Sequence, residues 1–572
     1  MAEPRMSKEH SEGFARGLTN YGDPAFSLYL RRSYALSTGM SGELLSRPVV
    51  GIATSPSGFN NCHRHFPELL EAVKRGVLAA GGLPLDFPTI SLGEVFLNPT
   101  SLMYRNLMSM DVEEMIRAQP MNAVVLMGGC DKTVPAQLMG AASAGVPAVQ
   151  LVGGPMMTGR YRGERLGACT DCRRYWAQYR ANKVSPADIT EVESRLATTA
   201  GTCAVMGTAS TMACLAEALG MSLPGTAAIP AVHADRLRAA EATGRAGVAL
   251  IRSRITPRDV ITPAAVENAL RVLLAIGGST NAIIHLTAIA GRLGIKVPLT
   301  RLNELSETTP VLVNLKPTGQ HYMEDFFAAG GMSAVLRELK HLLNLDCASV
   351  TGETLGARLE AEKDLYVDHG VIRTADDPVE PAGGLVALFG SLAPRGAILK
   401  RSAADKSLFE SEGRAVVFES LQDLAERIDS DDLEATPADF LVLKHAGSTS
   451  ASGMPEAGYL PIPGKLARAG VKDMVRISDA RMSGTAFGTV VLHVAPEAAA
   501  GGILALVHNG DRIAISVSRR RIDLLVDDTE LARRRRSSKP SADRPARGYA
   551  RLYAEHVLQA DQGCDFDFLQ GS

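Results

Sequence analysis

The feature that most constrains this chain is an alternation of apolar run, loop and helix-like run in its N-terminal part. Residues 48–54 (PVVGIAT) and 122–130 (NAVVLMGGC) read as buried strands ending in loops. Helix-like runs follow at 67–80 and 134–144, and 146–152 (VPAVQLV) supplies another strand. Such alternation predicts a parallel α/β sheet. Ligands of these sheets bind at the carboxyl ends of the strands, where Cys62 and Cys130 would emerge.

Small and apolar residues dominate Thr208–Leu219 and Pro263–Leu293, which read as buried helices. The texture changes near residue 380, where Val379-Glu380-Pro381-Ala382-Gly383-Gly384 reads as a linker. Beyond it the pieces LVALFG, GAILK, AVVF, FLVLK, GTVVLHV, ILALV and RIAISVS predict a closed or partly closed β-domain. The expected fold class is therefore α/β, with a parallel-sheet α/β domain over 1–381 and a β-barrel-like domain over 382–572. A chain of 572 residues is long enough for both.

A formal net charge of -2 argues against nucleic acid or an anionic membrane surface as partner, and a small molecule is expected instead. The basic run Arg533–Arg536 reads as a solvated surface segment. The first residues (MAEPRMSKEHSEGFARG) lack the apolar core of a signal peptide, and no apolar stretch is long enough to span a bilayer. Eight cysteines in this length do not form a disulfide framework, so a reducing cytoplasm is the expected compartment.

Three cysteines lie in small-residue loops: Asn61-Cys62-His63, Gly128-Gly129-Cys130-Asp131-Lys132 and Gly201-Thr202-Cys203-Ala204. Three thiolates can hold an iron–sulfur cluster and leave one iron position open, a Lewis acid for a substrate oxygen. In the second loop the glycines allow close backbone approach, and the carboxylate beside the thiol can take a hard cation. It is not a P-loop, because the Gly-x4-Gly-Lys-Ser/Thr spacing is absent. Ser483, in Asp479-Ala480-Arg481-Met482-Ser483-Gly484-Thr485, lacks a nucleophile elbow and by itself reads as a turn former, a base or a nucleophile. Cys169-Thr170-Asp171-Cys172 has no second pair at zinc spacing and reads as two incidental cysteines at a helix start.

Together these segments resemble the dihydroxyacid dehydratase and sugar-acid (aldonate) dehydratase family. The resemblance runs from about residue 48 to 510 and rests on Cys130-Asp131-Lys132-Thr133, Gly201-Thr202-Cys203, Gly277-Gly278-Ser279-Thr280-Asn281 and Asp479–Thr485. It implies Cys62, Cys130 and Cys203 as ligands of a [2Fe–2S] cluster, with [4Fe–4S] as the alternative. It implies Glu94, Asp131 and Glu456 around Mg²⁺, with Lys132 carbamylated as a further oxygen donor. Ser483 matches the base that takes the C2 proton, with Thr485 beside it. The implied reaction is loss of the 3-hydroxyl from a sugar acid to give a 2-keto-3-deoxy acid, and the implied assembly is a homodimer or homotetramer.

Arg173-Arg174-Tyr175-Trp176, the Cys62–Phe66 loop and Gly319-Gln320-His321-Tyr322 look most like the sugar-acid branch, and a pentonate such as arabinonate or xylonate is favoured. A branched-chain dihydroxyacid dehydratase is the alternative substrate reading, and a non-catalytic iron–sulfur redox protein the alternative class. The redox reading has no use for Glu94, Asp131, Glu456 and Ser483 together. One departure stands out: His445–Gly453 carries serines where relatives carry prolines, which predicts a looser or differently shaped loop.

Overall fold

The computed structural model describes residues 13–537 and 545–571. Its first sheet holds β1 (Val49–Thr54), β2 (Leu83–Pro88), β3 (Ala123–Gly128) and β4 (Ala148–Val152), all parallel, in the order β2-β1-β3-β4. Every residue of β1, β3 and β4 is buried, which is why these runs are apolar without alternation. Helices Phe66–Ala79 and Ala234–Ser253 pack on each other, as do Ser101–Ala118 and Thr133–Ala144, and both pairs rest on the sheet.

The chain leaves β1 for the edge strand β2 and returns on the other side at β3. The loops after β1 and β3 therefore diverge, and the crevice between them is the topological switch point. Cys62 and Cys130 lie on those two loops. The sequence reading has no counterpart of β2. Pro84 and Pro88 interrupt its apolar run, and only an edge strand tolerates them. A short antiparallel hairpin, β5 (Gly159–Tyr161) and β6 (Glu164–Leu166), leads into Cys169. The stretch Pro263–Leu293 forms two buried helices, Pro263–Ala275 and Asn281–Gly291, interrupted at Gly277, whose φ is 56°.

The second sheet has eight strands: β7 (Val386–Leu388), β8 (Gly396–Leu399), β9 (Glu410–Phe418), β10 (Phe440–Leu443), β11 (Arg476–Ser478), β12 (Val490–Ala495), β13 (Arg512–Ser516) and β14 (Arg521–Leu524). Their order is β14-β13-β9-β10-β11-β12-β8-β7, parallel from β9 to β12 and antiparallel elsewhere. The Phe389 N–H donates to the Arg520 carbonyl and the Ile522 N–H to the Phe389 carbonyl, both at 2.9 Å, bringing the two outer strands together. The result is a nearly closed barrel-like sheet, so the α/β and β-barrel-like expectation holds. ILALV is a 3-10 turn (Ile503–Leu506) rather than a strand; it follows Gly501, whose φ of 79° turns the chain.

The segment beyond the barrel returns to the first domain. Arg105, on Ser101–Ala118, donates to the carbonyls of Gly563 and Cys564 at 2.8 Å each. Arg292, just past Asn281–Gly291, pairs with Asp565 at 2.6 Å, both side chains fully buried. The basic run sits on helix Asp528–Ser537, where Arg533 pairs with Glu530 and Arg534 with Asp511 and Glu530. Among the described residues no helix is long and apolar enough to cross a membrane.

Candidate active site

Two histidines set the Cys62 loop. His63 is fully buried, with Nδ1 2.9 Å from the Ser55 carbonyl, while Nε2 accepts from the backbone N–H of Gly129 (3.2 Å) and Cys130 (3.0 Å). These partners assign a neutral ring protonated on Nδ1. Burial depresses its pKa to about 4, so it stays neutral. His65 donates from Nε2 to the Gly153 carbonyl at 2.8 Å, just past β4. The two rings thus tie the loop after β1 to the loops after β3 and β4. Gly129 is required there, because a Cβ would stand 2.7 Å from His63 Cδ2 and 3.0 Å from the Cys62 carbonyl oxygen.

The thiols meet in pairs. Cys130 contacts Cys62, and that contact together with burial raises its pKa well above the ordinary thiol value. Cys203 lies 3.6 Å from Cys169, sulfur to sulfur, and this contact and burial raise it likewise. Cys203 also feels the charge of Cys62, so both pairs line one space. Among the described residues, the one group that converges tightly enough for a single ion is Glu94, Asp131 and Glu456, whose oxygens lie within 4.8 Å of one another. Cys62, Cys130 and Cys203 do not converge on one point in this way.

The carboxylates come from three distant segments. Asp131 follows β3, Glu94 lies in the loop after β2, and Glu456 opens the 3-10 turn Glu456–Tyr459 of the C-terminal region. Two buried cations hold them. Lys132 Nζ lies 2.5 Å from Asp131 and 3.2 Å from Glu94, with its side chain fully buried. Arg481 reaches Glu94 at 2.7 Å and Glu456 at 2.6 Å, and donates to Thr100 Oγ1 at 2.7 Å and the Met454 carbonyl at 2.8 Å. Burial pushes Glu94 up, but Arg481 and Lys132 outweigh it and hold it well below the carboxylate range. Asp131 is raised by burial against the pull of Lys132. Burial and the charge of Glu94 push Glu456 up to about 7.

The Ser483 loop is wedged between the carboxylates and the thiols. Ser483 Oγ and Thr485 Oγ1 are 2.9 Å apart, and the Gly484 N–H donates to Thr208 Oγ1 at 3.3 Å. Asn281 Nδ2 donates to Thr208 Oγ1 at 3.2 Å and to Glu456 at 3.3 Å, linking the serine loop to the carboxylates. On the thiol side, Thr170 Oγ1 donates to the Thr485 carbonyl at 2.9 Å, one residue from Cys169. A Cβ on Gly484 would come within 2.6 Å of Ser279 Cβ, so only glycine lets this loop settle on the Ser279-Thr280-Asn281 turn. Lys400, fully buried, places Nζ 3.3 Å from the Gly484 carbonyl, and burial lowers it to about 7.

The structure thus brings the nine sequence-predicted residues into one neighbourhood: Cys62, Cys130, Cys203, Glu94, Asp131, Lys132, Glu456, Ser483 and Thr485. Sequence reasoning passed over Arg481, Asn281, Thr208 and Lys400. Arg481 stands two residues before Ser483 in a motif already quoted, but nothing local says it is buried. The isolation expected of Cys169 is corrected: it does begin helix Thr170–Arg180, yet its sulfur touches Cys203. The serines of 445–453 are anchored rather than free. Ser448 Oγ lies 2.9 Å from Glu497 and 3.0 Å from the Leu558 carbonyl, and the Thr449 N–H donates to Glu497 at 2.7 Å.

A carboxylate triad and a set of paired thiols flanking a serine loop define the donor equipment of a metal-assisted enzyme. A family description, Dihydroxy-acid/6-phosphogluconate dehydratase N-terminal, matches residues 47–358, and its C-terminal counterpart matches 370–564. The chain belongs to the dihydroxy-acid/6-phosphogluconate dehydratase family, and it is a dehydratase, a hydro-lyase. It is 46% identical to an L-arabinonate dehydratase of Rhizobium leguminosarum bv. trifolii over 96% of this chain and 95% of that one. It is 47% identical to an L-arabonate dehydratase of Azospirillum brasilense, over 95% of each. A 6-deoxy-6-sulfo-D-gluconate dehydratase of Pseudomonas putida is 44% identical, over 92% of this chain and 91% of that one.

Proposed function

We propose that the chain dehydrates an unphosphorylated sugar acid, a pentonate such as arabinonate or xylonate, to its 2-keto-3-deoxy acid. The observation that carries this reading is the Ser483 loop wedged between carboxylates and thiols, with one hydrogen-bond chain running from Glu456 through Asn281 and Thr208 to Gly484. Similarity supports the substrate class. Relatives named for sugar acids are 44–47% identical to this chain, whereas a dihydroxy-acid dehydratase of Acetivibrio thermocellus is 37% identical.

Glu94, Asp131 and Glu456 would hold Mg²⁺, since hard oxygen donors suit it. Cys62, Cys130 and Cys203 would hold a [2Fe–2S] cluster, with [4Fe–4S] as the alternative. When bound, the two groups supply Lewis acidity, at the C2 side and at the departing 3-hydroxyl respectively. Lys132 as an ammonium occupies the carboxylate centre, and conversion to a carbamate would replace that cation with an anionic oxygen donor.

The chain's own residues then divide the work. Ser483 Oγ takes the C2 proton; a serine does this only as an alkoxide, so nearby positive charge is a physical requirement. Lys400 on the Gly484 carbonyl and the Thr485 hydroxyl at 2.9 Å are the groups beside it. Arg481 keeps Glu94 ionised and holds both Glu94 and Glu456 in place. His63 and His65 hold the cysteine loop without entering proton transfer.

The test is anaerobic purification, iron and sulfide assay, then keto-acid release with Mg²⁺ from a panel of aldonates and 2,3-dihydroxyisovalerate. Turnover of one or two pentonates is expected, with about two irons per chain. Turnover of the branched-chain acid alone would overturn the substrate. A filled cluster with no turnover of any acid would overturn the catalytic reading in favour of a redox protein.

A further inference from the structure

The Cys-x-x-Cys pair has no part in the reaction above, yet the fold presses it against a residue that does. Cys169 Sγ and Cys203 Sγ are 3.6 Å apart although 34 residues separate them. The backbone builds this contact: the Ala204 N–H donates to the Ala168 carbonyl at 3.0 Å, holding the two cysteine segments side by side. Cys172, one turn along, turns its thiol back onto the Cys169 carbonyl at 2.7 Å. Cys169, Cys172 and Cys203 are only partly buried residues, whereas Cys214 and Cys564 are buried. Cys169 stands immediately before the eleven-residue helix Thr170–Arg180, which fixes its backbone beside Cys203.

We propose that Cys169 is the redox partner of Cys203: in cluster-free protein the two close into a reversible disulfide that shields Cys203 from irreversible oxidation, and Cys172 resolves it. The proposal rests on the reading of Cys203 as a cluster ligand. The oxidant is a low-molecular-weight disulfide of the glutathione class. The Cys169 thiolate attacks one of its sulfurs, forms a mixed disulfide and expels one thiolate. The Cys203 thiolate then attacks the Cys169 sulfur, closing the protein disulfide and expelling the second thiolate. Two protein thiols are oxidised, one small disulfide is reduced to two thiols, and the two thiol protons pass to the leaving groups. Attack by the Cys172 thiolate on the Cys169 sulfur moves the bond to Cys169–Cys172 and frees Cys203, with no net change in oxidation state.

Bond formation brings the sulfurs from 3.6 Å to about 2.05 Å, a side-chain movement and not a refolding. Ligation to a cluster would occupy the Cys203 sulfur and block the exchange. Without Cys169, the Cys203 sulfenic acid loses the thiol in contact with it, and oxidation proceeds further toward the sulfinic acid.

The experiment uses full-length protein stripped of its cluster by a chelator, treated with glutathione disulfide, alkylated, digested with trypsin and mapped by mass spectrometry. The expected product joins the peptide 166–173 to the peptide 196–236, with fragment ions assigning Cys169 and Cys203. In a second arm, cluster-free wild type and Cys169→Ser are exposed to hydrogen peroxide, reduced with dithiothreitol and reconstituted with iron and sulfide. Cluster absorbance should return in the wild type and be about fivefold lower in Cys169→Ser, with Cys203 found as sulfinic acid. Cys169→Ser that was never oxidised should take up as much cluster as wild type; lower uptake would make Cys169 a ligand and overturn the proposal. Absence of the cross-link together with equal recovery of both proteins overturns it too. Wild type that takes up no iron and sulfide before oxidation overturns the ligand reading of Cys203, and the shielding role with it, whatever the cross-link shows.

Discussion

Arg481→Met removes the cation that faces two of the three carboxylates while keeping most of its volume. The variant loses ion pairs of 2.7 Å to Glu94 and 2.6 Å to Glu456, plus hydrogen bonds to Thr100 and Met454. Removing one partner of a buried ion pair costs about 3–5 kcal/mol, because the survivors stay buried and uncompensated. Lys132 still faces Glu94, at 3.2 Å, which puts the expected loss at the lower end, about 3 kcal/mol. A divalent ion can take over the lost charge. Mg²⁺ at a hundredfold its Kd adds about 2.7 kcal/mol to any protein that binds it only when folded. Urea unfolding of cluster-free protein, followed by circular dichroism in EDTA and in Mg²⁺, measures both terms. The variant should lose about 3 kcal/mol in EDTA and recover more than wild type in Mg²⁺. A loss below about 1 kcal/mol, or the same Mg²⁺ effect in both proteins, refutes the argument that Arg481 neutralises the carboxylates that bind the ion.

Because Glu456 is pushed up to about 7, Mg²⁺ must displace a proton below that pH. Apparent Mg²⁺ affinity by calorimetry should fall about tenfold per pH unit below 7 and level off above it. The same shift means the folded protein holds this proton more tightly than the unfolded chain. Its contribution to metal-free stability is therefore full below the unfolded value of 4.5 and lost as pH rises through about 7, which pH-resolved urea titrations would register. Ser483→Ala should lower kcat by about 10²–10⁴ with iron and sulfide content unchanged; a parallel loss of cluster would make the serine a structural residue. Gly129→Ala would put a methyl 2.7 Å from His63 and should cost about 1–3 kcal/mol and lower cluster loading, with normal loading counting against the cradle described for Cys62 and Cys130.

Strands β1, β3 and β4 were legible because burial on both faces leaves an uninterrupted apolar run. β2 was not, since two prolines sit where only an edge position excuses them. β11 (RIS) is three residues long and begins with a buried arginine, too short to carry a period. ILALV has a strand's composition, and its turn follows from the glycine before it. In the site, Cys130, Asp131 and Lys132 were readable because unusual residue types share one glycine-rich loop. Arg481 was not, because what buries it is Glu94, 387 residues away, and no local pattern encodes that distance. Cys169 fails for the same reason: its neighbour Cys203 is brought to it by a backbone hydrogen bond between segments 34 residues apart. The contacts of the Ser-rich loop were not legible because Glu497, which holds Ser448 and Thr449, follows β12.

The return of residues 563–565 to the first domain has a consequence for biosynthesis. Arg105 finds the carbonyls of Gly563 and Cys564 only some 458 residues after it leaves the ribosome, and Arg292 waits for Asp565 across 273. Until then two guanidinium groups of the emerging α/β unit have only their nearer partners, Asn106 and His285 for Arg105 and Glu113, Ser109 and Ser143 for Arg292. N-terminal domains ordinarily fold as they emerge. Here the interior around Arg105 and Arg292 is completed only when residues 563–565 arrive, so the N-terminal part cut out alone would leave that cradle uncovered.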